Sequence, residues 1–408
     1  MKKYDLVVVG GGISGIAAAV SSAREGLSVL VVEKFGSLGG AMSNSLVYPY
    51  SGASMYSKNK RVIADKIFHE MVDRKEKYND TSWEAYKLVF DDMLMESGVD
   101  VLFHSTVFEA ITEDRKIKSV KIATKSGVIS VEADYFIDAS GDGELIYMTG
   151  CDYQLGRESD GLSQPMTTCF RMSNVDIDLF LKEKDVLQEK YENLQKENKI
   201  INPRENILFF LGFGAGIVHF NTTRIVKHNP VDPFELSKAE ITARKQVYEM
   251  ADFLKENSDA FKNSTVVSIA SHIGVRESRK LKGVYILTEK DVTEFLDFED
   301  TVALGNYGID IHNPSGTGTI QFHLNPGEFY RIPYRCLLPK EYDNMLVAGR
   351  CLSATHVAHS AVRVMPICAC VGEAAGTAIA VAQKANTTTH DIDIKTLQNK
   401  LREDGALI

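Results

Sequence analysis

Three features of the sequence predict a doubly wound α/β fold that carries an inserted α+β segment. An apolar run at 6–9 leads through a glycine turn at 10–15 into an alanine-rich stretch, 16–24, and then a second apolar run, 28–32. The same order of apolar run, glycine turn and alanine-rich helix returns near the end, at 345–348, 349–350 and 368–382. Between them the composition shifts to long Lys- and Glu-rich helices. The 408 residues suit two or three domains at about 150 residues each. The expected division is a first domain in two pieces, 1–152 and 335–408, with 153–334 inserted between them.

Taken in order, residues 6–9 are apolar without alternation, which suits a strand covered on both faces of a parallel sheet. The helix at 16–24 closes on Gly26, a suitable C-terminal cap. Residues 62–74 and 83–96 place apolar side chains three and four apart and predict amphipathic helices, and 99–103 returns to strand. From 107 to 131, short alternating runs are broken by Glu113, Asp114 and Gly127, the pattern of an antiparallel β-meander. A further buried strand is expected at 135–139. Residues 175–198 and 237–257 predict long helices whose charge runs read as solvated faces.

Composition excludes several classes. With 46 Lys and Arg against 55 Asp and Glu, the formal net charge is −9, an acidic balance that argues against a nucleic-acid partner. The longest unbroken apolar run, 207–218, is twelve residues, whereas a membrane span needs about 20, so no membrane insertion is expected. Lys2 and Lys3 before an apolar stretch imitate a leader, but Asp5 and the glycines interrupt it; a cytoplasmic location is the expectation. None of the six cysteines stands at the two-residue spacing of zinc ribbons, clusters or dithiols. Cys368 and Cys370 read as small buried apolar groups.

Gly10, Gly12 and Gly15 follow the G-x-G-x-x-G spacing between a strand and a helix. The first permits the tight turn, the second lets a pyrophosphate approach the backbone, and the third brings helix and strand close. Ile13 and Ser14 sit inside the turn, where phosphate charge meets the helix N-terminus. Glu33, eighteen residues past Gly15, ends the second strand, where its carboxylate accepts from ribose hydroxyls and disfavours a 2′-phosphate; Lys34 follows. Gly39 and Gly40, with Ala41 and Met42, offer a second close approach to a long dinucleotide. Ala139, Gly141 and Asp142 bound it from another strand, and Gly349 and Arg350 from the last. Pro366, with Ile367, stands in the first turn of the final long helix, whose N-terminus favours negative charge. NAD and FAD share the fingerprint. No second copy exists, because Gly212, Gly214 and Gly216 alternate and no helix follows; a separate NAD(P)H domain is not expected.

With these motifs in place, the chain resembles FAD-dependent oxidoreductases of the glutathione-reductase-like flavoprotein superfamily, distantly related to fumarate reductase and succinate dehydrogenase flavoproteins. The resemblance is carried by 7–33, 137–143, 164–168, I-G-V-R-E-S-R at 273–279, and 332–376 with its I-P-Y-R, L-V-A-G-R, R-V-M-P and G-E-A-A-G runs. It implies a Rossmann-like FAD-binding domain with an inserted substrate domain, and FAD as cofactor. Val107 matches the position whose backbone meets the adenine. In many fumarate reductase relatives a histidine near 39–45 attaches the flavin; none stands there in this sequence, so non-covalent FAD is expected.

His356, His359 and Arg363 fall where the resemblance puts the flavin ring. An imidazole moves protons near neutral pH, with an ordinary pKa of about 6.5, and a guanidinium clamps a carboxylate or holds developing charge. The run His359-Ser-Ala-Val-Arg363 is similar to the His-Gly-Ala-Asn-Arg run of fumarate reductases, whose arginine meets substrate. Arg276, Glu277 and Arg279 read as a structural ion-pair network. Gln164 and Thr167, and more weakly His312, His323 and Tyr330, face the site from the insertion. No H-E-x-x-H or G-x-S-x-G run points to a metal site or a serine hydrolase, and the single Trp83 does not supply the paired tryptophans of flavin halogenases. The implied reaction is hydride transfer between a small organic, anionic substrate and flavin N5, with an external electron donor or acceptor. Two alternatives stand beside it: an electron-transfer flavoprotein subunit, and an oxygen-using oxidase or hydroxylase.

Overall fold

A computed structural model describes residues 3–48, 50, 66–78 and 83–408. The first four positions of the helix expected at 62–74 lie outside the described residues; the described part is Lys66–Glu76. The chain begins with β1 (Lys3–Val9), α1 (Ile13–Arg24) and β2 (Val29–Val32), followed by β3 (Asp100–Leu102), β4 (Thr106–Glu113), β5 (Lys116–Thr124) and β6 (Gly127–Asp138). The sheet runs β3-β2-β1-β6-β5-β4, and Met345–Val347 also pairs with β6. Pairing among β3, β2, β1, the end of β6 and Met345–Val347 is parallel; β4, β5 and the start of β6 pair antiparallel.

Where the sequence predicts a meander and then a separate strand at 135–139, the structure has one twelve-residue strand, β6. Its first half belongs to the meander and its second to the parallel sheet, and Glu132 stands opposite both Ser119 and Lys3. A single strand passes from one to the other, so no turn is needed.

The unbroken apolar runs are explained by burial on both faces. Leu6, Val8, Val29, Val31 and Leu346 pack on the side of α1, while Val7, Val9, Leu30, Val32, Met345 and Val347 pack beneath the meander with Val107 and Ile122. On the first side α1 crosses helix Met365–Ala385. A Cβ on Gly372 would lie 2.2 Å from the Ser14 carbonyl oxygen, and one on Gly376 2.2 Å from that of Ala18, so the two backbones touch. Ser22 Oγ donates across the crossing to the Gly376 carbonyl at 3.0 Å. By length and composition this helix could cross a membrane, yet it is almost wholly buried inside the fold. Counting unbroken apolar residues does not register it, because Glu373 and Thr377 interrupt the run.

Phe170–Ser173 is central in a four-stranded antiparallel sheet with Thr265–Ile269, Val218–Phe220 and Phe209–Phe210. Helices Ile177–Lys196 and Pro233–Asn257 cover it over a core that includes Phe170, Phe180, Phe220, Phe253 and Phe261. The second helix starts four residues before the apolar periodicity, because Asp232 accepts from the Phe234 and Glu235 amides and Pro233 takes the first turn. Val302, Ile311, Tyr330 and Ile332 instead join the core around α1 and Met365–Ala385.

Candidate active site

The C-terminal ends of β1, β2 and β6 open on a cavity of about 450 Å³, where open α/β sheets place their ligands. One part of its wall is built from the expected nucleotide residues: Gly10, Gly12, Ile13, Ser14, Glu33, Lys34, Gly39, Gly40, Ala41, Val107, Ala139, Gly141 and Arg350. Gly10 has φ +100°, and a Cβ there would sit 2.6 Å from the Ala139 carbonyl oxygen. Gly12 is different. Beyond its Cα the nearest atom is the Gly40 Cα, 3.9 Å from where a Cβ would be, so the absent side chain leaves open space at the start of α1. Gly12 is also the N-cap and supplies no side-chain bond, which leaves the first amides of the helix as donors toward that space. This cradle fits the pyrophosphate of the FAD that the resemblance implies.

Both Glu33 oxygens accept from backbone, Oε2 from Gly11 N at 2.7 Å and Oε1 from Phe35 N at 2.8 Å. A carboxylate has about four acceptor positions, so capacity remains for ribose hydroxyls. Helix Met365–Ala385 begins at the cavity without a side-chain cap, and Val364, Met365 and Cys368 line the wall.

Gly15, Met42, Asp142, Gly349, Pro366 and Ile367 lie behind that wall instead of on it. Gly15 and Gly349 serve close approach: a Cβ on Gly15 would be 2.0 Å from the Gly10 oxygen, and one on Gly349 2.3 Å from Ser14 Oγ. Met42 is buried in the short helix Ala41–Asn44, and Pro366 and Ile367 are buried because their helix turns its 364, 365 and 368 positions to the cavity. Asp142 Oδ1 accepts from Arg350 Nη2 at 2.8 Å and from Ser278 Oγ at 2.8 Å. Burial pushes its pKa up, but Arg350 and Lys34 outweigh that and hold it below the usual carboxylate range. It therefore fixes Arg350, which does line the cavity.

The sequence places His356 and His359 at the reacting end; in the structure both side chains stand behind the cavity wall. His359 is fully buried, with Nε2 bonded to the Arg350 carbonyl oxygen at 2.8 Å, and burial pushes its pKa well below 6.5. His356 Nδ1 stands 2.8 Å from Glu277 Oε2. Neither lines the cavity; Arg363, at the end of the same short helix His356–Val362, does. Within 276–279 the three charged residues separate. Glu277 is buried against Lys280 and His356 and accepts from Gln164 N at 3.0 Å. Arg279 lies over the Tyr147 ring at 4.4 Å. Arg276 donates to the Pro165 carbonyl oxygen at 2.7 Å and lines the cavity.

The rest of the wall comes from the segment 153–334: Thr167, Arg204, Leu208, Phe210, Asn221, Tyr307, Asp310, His312 and Gln321, with Tyr48 opposite. Gln164, His323 and Tyr330 are not on it, Tyr330 being buried in the main core. Asp310 is the hub. Its Oδ2 accepts from Tyr307 OH at 3.1 Å and its Oδ1 from Gln321 Nε2 at 3.3 Å, while Arg363 Nη2 donates to its carbonyl oxygen at 3.1 Å. Burial opposes ionisation, but His312 and Arg363 hold the Asp310 pKa below the usual range. Burial, Arg363 and Arg204 push Arg276 down to about 9. Sequence reading missed Arg204, Tyr307 and Asp310. The available signal was the strand period, which sets Asp310 and His312 on one face.

The sequence model described as FAD dependent oxidoreductase matches residues 5–401. The digeranylgeranylglycerophospholipid reductase of Thermoplasma volcanium is 27% identical over 196 residues, 44% of this chain and 49% of the relative, so the chain spans about half the length of that protein. Glutathione reductase of Debaryomyces hansenii is 30% identical over 121 residues, 25% of this chain and 24% of the relative. Among solved structures, a geranylgeranyl bacteriochlorophyll reductase-like protein from Thermoplasma acidophilum aligns with a TM-score of 0.48 at 16% identity, covering 99% of this chain and 83% of the other.

Proposed function

We propose, from the premise that this chain belongs to the FAD-dependent oxidoreductase family, that it transfers a hydride between a small organic anion and the flavin. The observation that carries this reading is the gathering of Arg204, Arg276 and Arg363 beside Tyr307, in the same cavity as the fingerprint turn. Bound FAD supplies hydride acceptance or donation at its N5. Arg363, tied to Asp310, orients the substrate and offsets the negative charge that develops on it. The Tyr307 hydroxyl, held on Asp310 at 3.1 Å, moves the proton. Leu208 and Phe210 supply apolar wall that excludes water.

The absence of histidine from 39–45 supports non-covalent FAD. Six free, buried thiols support a reducing compartment such as the cytoplasm. Electrons beyond the first transfer pass to or from an external partner, a reading supported by the single dinucleotide fingerprint. An electron-transfer subunit has no use for an arginine-lined chamber, which favours the substrate reading over it.

The test is anaerobic. The purified protein is examined for bound flavin and then mixed with hydroxy acids, amino acids, saturated carboxylic acids and NAD(P)H while bleaching is followed. Bleaching by a small acid is the expected result. Flavin that none of these bleaches, but that a reduced protein or dye reduces readily, would reverse the reading in favour of electron transfer.

A further inference from the structure

Arg204 and Arg276 line the chamber, and among the described residues neither meets a carboxylate. Arg204 is 7% exposed, its Nε has no partner, and among the described residues its guanidinium hydrogen-bonds only to His312 Nδ1, at 3.5 Å. Arg276 has only the Pro165 carbonyl oxygen, at 2.7 Å. The neighbouring arginines differ: Arg224 stands 2.9 Å from Glu205, Arg350 2.8 Å from Asp142, and Arg363 3.8 Å from Asp310. Buried guanidiniums are as a rule paired, because an uncompensated buried charge is strongly unfavourable. Two guanidiniums in one wall that no carboxylate contacts among the described residues ask for two negative charges from whatever occupies the chamber.

We propose that the ligand of this chamber is an organic dianion whose two charges are met by Arg204 and Arg276. This rests on the reading of the cavity as a substrate site and adds the class of substrate. Arg363 is not one of the two anchors, since Asp310 already balances it. Leu208 and Phe210 contact the carbon skeleton, and Thr167 and Asn221 supply neutral polar contacts. A dicarboxylate and a phosphate monoester share this chemistry.

The test uses the protein with its FAD bound, titrated with malonate, glutarate, acetate and inorganic phosphate while flavin absorption and melting temperature are recorded. A dianion is expected to bind about ten- to a hundred-fold more tightly than acetate, the gain from a second charged hydrogen-bonded contact. Preference for malonate or glutarate assigns a dicarboxylate, and preference for phosphate a phosphate monoester; either supports the proposal. Arg204→Gln and Arg276→Gln are each expected to remove the preference, and Arg276→Lys, which keeps the charge without the planar fork, to retain part of it. Equal affinity for acetate and the dianions overturns the proposal, as does a preference that survives both glutamine variants. Retained flavin with no response to any anion overturns the dianion while leaving the family's cofactor in place. Dianion binding by a protein whose flavin no small molecule bleaches would keep the anion site and defeat the catalytic reading.

Discussion

Arg224 Nη2 lies 3.1 Å from His312 Nδ1, and since a guanidinium only donates, that ring nitrogen carries no proton. The proton of the neutral ring is then on Nε2, 3.4 Å from Asp310 Oδ2. Burial and the nearby Arg276 push the His312 pKa down to about 3, so the ring stays neutral around pH 7. Of the residues on the reacting wall, His312 holds Asp310 in place, and Tyr307 presents a movable proton.

Replacing Tyr307 by Phe is therefore expected to slow anaerobic flavin reduction by about 10²–10⁴-fold, the usual contribution of a positioned acid or base, while bound FAD absorbance is unchanged. The wild-type pH profile should show no inflection near 6.5, the ordinary histidine value. A Tyr307→Phe rate within twofold of wild type would take the phenol out of the mechanism.

The fingerprint end of the cavity was legible because each requirement there is local. Gly10 needs its turn, Gly12 its open space, and Glu33 its place at the strand end, all within one strand-turn-helix-strand unit. The reacting end was not, because separate segments assemble it. Asp310 and Gln321 become neighbours only through the pairing of Ile309–His312 with Thr319–Phe322, and Arg204 arrives from a loop far from both. His359 and Arg363 share a sequence run, but helix phase turns the first toward the Arg350 carbonyl and leaves the second at the cavity. Sequence carries that phase only when the helix's neighbours are known.

The crossing of α1 and Met365–Ala385 gives a second expectation. Gly372→Ala puts a methyl group against Ser14 backbone, where a flexible side chain cannot yield, so the fingerprint turn itself must shift. A loss of about 1–3 kcal/mol is expected from such overpacking, with weaker FAD retention, both measured by denaturant titration with and without added FAD. Gly316→Ala, where nothing lies within 4 Å of the new carbon, should stay within about 0.5 kcal/mol. Equal effects of the two would mean that the helices separate freely.

Glu277→Gln tests the buried cluster behind the chamber. The carboxylate faces both Lys280 and His356, and its side chain is fully buried. Removing its charge leaves Lys280 as an uncompensated buried cation, with an expected cost of about 3–5 kcal/mol in urea unfolding. A change under about 1 kcal/mol would show that water or a shifted side chain already satisfies the lysine.

His219 supplies a pH dependence whose sign follows from its surroundings. Its ring is fully buried, both nitrogens lack a partner, and Phe213, Tyr48 and Phe210 pack around it at 4.9, 5.8 and 6.1 Å between ring centroids. Burial, and then the Arg171 charge, push its pKa down to about 3, below the value of about 6.5 in the unfolded chain. Between those values the unfolded state binds a proton that the folded state refuses. The stabilisation is thus fully present above about pH 6.5 and is lost as pH falls toward 3. At about 1.4 kcal/mol per pH unit, going from pH 7 to pH 5 should remove roughly 2 kcal/mol through this residue. Chemical denaturation of wild type and His219→Phe at the two pH values isolates the effect: the variant should lose about 2 kcal/mol less than wild type. Parallel losses would mean that the ring takes up its proton in the folded state, with Arg171 and the aromatic wall rearranged to admit water.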